Sequence, residues 1–153
     1  MLRTLIVSLA LTLGAAFAAV SPAAAQQAPV HTGLLSNVAA GGYDVVAYFT
    51  DGRPVRGSAQ HRIMHQGYEY RFANAAHLAQ FRANPSAYLP QYGGYCAWAV
   101  SQGYTAAGNP NHWRIVDGRL YLNYNGDVQR RWEQDIPGHI SRANGNWPSV
   151  LRR

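Results

Sequence analysis

Apolar and polar positions alternate, with a few breaks, in two stretches of the chain, and each alternation folds back on a turn signal. His61 to Phe72 alternates around Gln66-Gly67, and Trp113 to Tyr124 alternates around Asp117-Gly118, the stronger hairpin signal of the two. With a two-residue loop, the first hairpin pairs His65 with Tyr68, Ile63 with Tyr70 and His61 with Phe72. In the second, Trp113, Ile115, Leu120, Leu122 and Tyr124 make the core face, and His112, Arg114, Arg119, Tyr121 and Asn123 turn the other way. Elsewhere the period is helical. Asn74 caps a helix that carries Ala75, Leu78 and Phe81 and stops at Asn84-Pro85; His77 on it is expected at the surface. A second helix starts at Asn125, places Val128, Trp132 and Ile136 on one face, bends at Pro137-Gly138 and continues through Ile140 and Ala143 to Asn144-Gly145.

Two segments complete the order. Tyr43 to Phe49, β-branched and aromatic, reads as a strand or extended segment in which Asp44 is the one charge; that carboxylate either caps a turn or points into a site. Tyr95 to Gln102 reads either as a short helix with Cys96 in its first turn or as a strand with Cys96, Trp98 and Val100 inward. The predicted fold is α+β, a small single domain with two antiparallel hairpins and two to three helices over residues 41–148, after a flexible lead-in at 26–40 and before a basic tail at 149–153.

The N-terminal pattern adds an address. Met1-Leu2-Arg3, an apolar run from Leu5 to Val20, and the A-x-A site at Ala23-Ala24-Ala25 make a cleaved secretory signal peptide over residues 1–25, so the expected location is periplasmic or secreted, with no integral membrane segment after cleavage. Removal leaves about 128 residues, enough for one domain with its own core.

The net charge of +6 comes entirely from arginine, since the chain has no lysine, and the arginines are scattered along it without a dense run. A nucleic-acid partner is therefore not expected, and the domain is read as a monomer whose partners are a metal ion or an envelope protein.

Candidate chemistry converges on Gln91-Tyr92-Gly93-Gly94-Tyr95-Cys96. The glycine pair permits a close approach by another backbone, a ligand or a metal, and Cys96 is the only cysteine, kept in a compartment where a free thiol is a liability. A thiolate at a helix N-terminus would have a lowered pKa. Cys96 with Asp44, His61 or His65 would suit copper, zinc or iron. His61 and His65 lie roughly 13 Å apart on a strand, so the two do not chelate one ion together. Two other classes compete with the metal site: a thiol enzyme with Cys96 as nucleophile, and an interaction module in which the cysteine is buried and structural.

An ordered set of motifs adds a family. Gly42-Tyr43-Asp44-Val45-Val46-Ala47-Tyr48-Phe49, Tyr70-Arg71-Phe72, Phe81 with Asn84-Pro85 and Tyr88, Tyr92-Gly93-Gly94-Tyr95-Cys96-Ala97, and Gly118-Arg119-Leu120-Tyr121-Leu122-Asn123-Tyr124 together resemble the exported YHS domain proteins of bacteria. The resemblance covers residues 41–148 and implies a small metal-binding domain, with Asp44, Tyr92, Tyr95 and Cys96 as the matching site positions. Metal-associated members carry further cysteines where this chain has Val45-Val46 and Ala73-Asn74, which leaves Cys96 as the one soft ligand.

Overall fold

The computed structural model describes residues 25–153, so the expected leader lies outside the described residues. The architecture is α+β. Among the described residues there are two separate two-stranded antiparallel sheets and five α-helices, in the order α1 (Ala47–Thr50), β1 (Ser58–His65), β2 (Tyr68–Phe72), α2 (Ala75–Ala83), α3 (Ala97–Ser101), β3 (Asn109–Val116), β4 (Arg119–Asn123), α4 (Gly126–Glu133) and α5 (Ile136–Asn146). None of these helices is long and apolar enough to cross a membrane.

Both hairpins turn where expected. Gln66 and Gly67 have φ of 50° and 86°, and Asp117 and Gly118 have 49° and 72°, the doubly left-handed turn whose twist matches the strands. His65 pairs with Tyr68 and Ile63 with Tyr70, but Phe72 pairs with Ser58 instead of His61, because a bulge between Ser58 and Arg62 shifts the register. The second hairpin corrects the facing argument. Leu120, Tyr121, Leu122 and Asn123 are all buried and Tyr124 is exposed, since β4 is covered on both faces. One face meets α1, where Tyr48 packs with Leu120 and Leu122, and the other meets α4, where Tyr121 lies 5.5 Å from Trp132.

Three further expectations change. Tyr43 to Phe49 is not a strand; Asp44 caps a turn leading into α1, with its carboxylate accepting from the backbone N–H of Val46 at 2.9 Å and of Ala47 at 3.2 Å. The long C-terminal helix is two helices, broken at Asp135, whose carboxylate accepts from Gly138 N–H as the cap of α5 with Pro137 in its first turn. The tail at 149–153 is not a free basic end: Val150 and Leu151 are 2% and 4% exposed, within the cluster around Trp132 and Ala143.

The lead-in is built into the body as well. Gln27 N–H donates to the Leu151 carbonyl, His31 N–H to the Gly93 carbonyl and Ala39 N–H to the Glu69 carbonyl, each at 2.9 Å, and Tyr95 Oη donates to the Ala28 carbonyl at 2.8 Å. Residues 26–40 thus run as a strap from the C-terminal cluster, across the glycine pair, to the edge of β2.

Candidate functional site

The glycine pair has a local cause. Tyr92, Gly93 and Gly94 all take left-handed backbone angles, with φ of 55°, 61° and 82°. A Cβ on Gly93 would collide with the Pro29 carbonyl, and a Cβ on Gly108 would collide with the Gly94 carbonyl. The close approach foreseen at this pair is therefore made by the chain's own strap. Tyr95 belongs to that contact, with its ring 5.2 Å from that of His31. Tyr92 points elsewhere, and its hydroxyl donates to Asn144 Oδ1 on α5 at 2.9 Å. Burial raises the pKa of both phenols.

Cys96 is fully buried as the N-cap of α3, a helix of only five residues, beside β4. Its Sγ donates to Asn123 Oδ1 at 3.6 Å, and the same oxygen accepts from Trp98 N–H at 3.1 Å. Burial pushes the thiol pKa up, against the backbone N–H groups of Ala99, Tyr124 and Trp98, which act the other way. The expected lowering at the helix start is thus outweighed by desolvation. A small cavity of about 180 Å³ adjoins the thiol, walled by Trp98, Ala99, Tyr104, Ala106, Tyr124 and Val128.

Asp44 is in a different neighbourhood. Its carboxylate also accepts from Ala73 N–H at 2.8 Å and from His77 Nδ1 at 2.7 Å. His77 Nε2 lies 3.2 Å from Thr50 Oγ1. Reading His77 as a surface residue missed this, although its spacing of four from buried Phe81 on the same helix was a usable signal. Thr50, His77 and Asp44 line up as hydroxyl, imidazole and carboxylate. The Thr50 hydroxyl is nevertheless engaged by Asp51 Oδ1 at 2.9 Å and by the Val46 carbonyl at 3.2 Å, so the group serves as a structural knot joining α1, the end of β2 and α2.

His65 packs edge-on against Phe81 at 5.7 Å, and His61 lies in the bulged half of β1. The structure therefore does not bring Cys96, Asp44, His61 and His65 together. Among the described residues, no three His, Cys, Asp or Glu side chains converge as a metal group. A second buried histidine, His139, also escaped the sequence argument. Its Nδ1 is 2.8 Å from Ser101 Oγ and 3.1 Å from the Arg142 guanidinium, and burial followed by Arg142 lowers its pKa, which keeps it neutral as a strut between α3 and α5.

A cleft of about 650 Å³ opens where the two main apolar clusters meet. Tyr68, Tyr92 and Trp147 supply aromatic surface, and Gln66, Gln91 and Asn144 supply amides. Among the described residues, no acidic, basic or imidazole side chain lines it, in a chain of net charge +6. Tyr70, also on its wall, has its phenol pKa pushed up to about 12 by burial. Tyr92 is the point at which the Gly-Gly segment enters this wall. Comparison with known proteins finds no matching family model, no matching curated protein and no matching solved structure.

Proposed function

We propose that the chain is an exported, YHS-like binding domain without catalytic chemistry, which holds a neutral ligand in the cleft beside Tyr92. The observation that carries this reading is the lining of the cleft, aromatic faces interleaved with amides and no charge. Such a surface suits a saccharide ring, whose apolar C–H face stacks on an aromatic and whose hydroxyls bond to amide groups. Chitotriose or maltotriose is expected to change the tryptophan emission in a saturable way, and Trp147→Ala is expected to weaken binding about tenfold or more. If neither sugar alters the emission of the wild type, the saccharide assignment fails.

Among the described residues, no donor set converges on Cys96 to support the transition-metal reading. A thiolate centre requires three or four ligands converging on one point, whereas the Cys96 thiol meets the Asn123 side chain and an apolar wall. Its burial supports the interaction-module alternative, with the cysteine as a packed core residue. Wild type and Cys96→Ser, purified without chelator, are expected to carry the same negligible copper, zinc and iron. Alkylation of Cys96 in the native state should be slow at pH 8 and become fast only on unfolding. Metal lost selectively in Cys96→Ser, or rapid native alkylation, would restore the metal or the thiol-enzyme reading respectively.

A further inference from the structure

The strap carries a feature that neither the cleft nor the core uses. Between the paired residues Thr32 and Ala39 it makes a tight turn, closed by Ser36 N–H donating to the Gly33 carbonyl at 3.1 Å, and at its tip stand Leu34 and Leu35, 94% and 100% exposed. Leu35 has φ of 56°, a left-handed conformation that large side chains avoid. The base of the turn is fastened to β2 through Asn37, Val38 and Ala39, so the tip is held out from the body. Two adjacent, solvent-exposed leucines on an anchored turn are not accounted for by folding, because their side chains gain almost nothing from burial.

Their surroundings carry positive charge. A groove of about 410 Å³ runs beside the tip, shares Gly33 and Ser36 with the turn, and is lined across from them by Arg56, Arg71, Gly42 and Gly57. Arg56 lies 4.9 Å over the Tyr43 ring, which leaves its charge uncompensated by that contact. Arg71 and Arg62 share one carboxylate, that of Glu69, at 2.6 Å and 3.7 Å. The three arginines and one glutamate leave this edge net positive.

We infer that this edge docks on an anionic phospholipid surface, with Leu34 and Leu35 inserted at the acyl boundary and Arg56 and Arg71 set against lipid phosphates. An apolar tip flanked by cations fits an anionic bilayer interface, where burial of a few side chains and electrostatic attraction add. The inference stands independently of the cleft and its ligand.

The test is flotation of the exported protein with vesicles of phosphatidylcholine alone and of equimolar phosphatidylcholine and phosphatidylglycerol. Binding is expected to the anionic vesicles and to weaken as salt is raised. The Leu34→Ser/Leu35→Ser double variant should bind about 30-fold less tightly, with its melting temperature unchanged because both side chains are solvated in the folded state. Arg56→Gln and Arg71→Gln should each weaken binding about fivefold. A wild type that ignores anionic vesicles, or a leucine variant that binds them as well as the wild type, overturns the inference. A photo-crosslinker placed at Leu35 that captures an envelope protein in place of lipid also overturns it, in favour of a protein partner.

Discussion

Asp44→Ala is expected to cost about 4 kcal/mol of folding stability, a large share of what a domain of this size has. The carboxylate is fully buried and accepts from Val46 N–H, Ala47 N–H, Ala73 N–H and His77 Nδ1, four donors from three parts of the chain. Alanine leaves those donors dry and unpartnered, each at a cost of about 1–3 kcal/mol before local relaxation. Asp44→Asn keeps the shape and one acceptor oxygen, so part of the loss should return. Thr50→Val removes the outer contact to His77 Nε2 together with the partly exposed hydroxyl contacts to Asp51 Oδ1 and the Val46 carbonyl, leaves the Asp44 carboxylate in place, and should cost about 1 kcal/mol. Urea denaturation of the three variants checks the order. A structural knot requires that Asp44→Ala be the worst and Thr50→Val the mildest, and an Asp44→Ala protein as stable as the wild type would remove the account.

Gly93→Ala should lower stability by about 2–3 kcal/mol and the melting temperature by about 10 °C. Two effects add there. An alanine at φ of 61° is strained whatever surrounds it, and its Cβ would overlap the Pro29 carbonyl, so the strap must shift. Gly118→Ala separates them, since Gly118 has φ of 72° but nothing near its missing Cβ; that variant pays only the backbone strain, about 1 kcal/mol. The excess in Gly93→Ala measures how tightly the strap seats. Limited proteolysis supplies the second readout, with new cleavage expected near Ala28 to His31 in Gly93→Ala and none in Gly118→Ala. Equal losses in the two glycine variants, with the strap uncut in both, would mean that the seat on Gly93 contributes nothing.

These two positions also mark how far the residues could be read. The glycine pair announced a close approach, and a close approach is there. What approaches it is Pro29, some sixty positions earlier in a stretch without period, and nothing local to either segment specifies that meeting. Asp44 shows the same division. As a lone charge in an apolar run it was bound to be either a cap or a site residue, and the choice was made by Ala73 and His77, brought in from the end of the first hairpin and from α2. Cys96 reverses a local rule: its place at the start of α3 argued for a reactive thiolate, and the surrounding body decided otherwise by removing water.

The features determined by the sequence alone are those in which neighbours along the chain carry the energy. They are the α+β class, both hairpin turns at Gln66-Gly67 and Asp117-Gly118, the Asn74 cap, the helix start at Asn125, and the single cysteine. Backbone sterics at two residues set a turn, and one side chain bonding to an N–H three residues on sets a cap, so short windows suffice. Tertiary structure alone decided the bulge that moved His61 out of register, the burial of β4 on both faces, the docking of the strap and of Val150-Leu151, and the uncharged cleft beside Tyr92. Each of these depends on surfaces distant in sequence removing water from one another, and that exclusion is a property of the assembled body instead of any one segment.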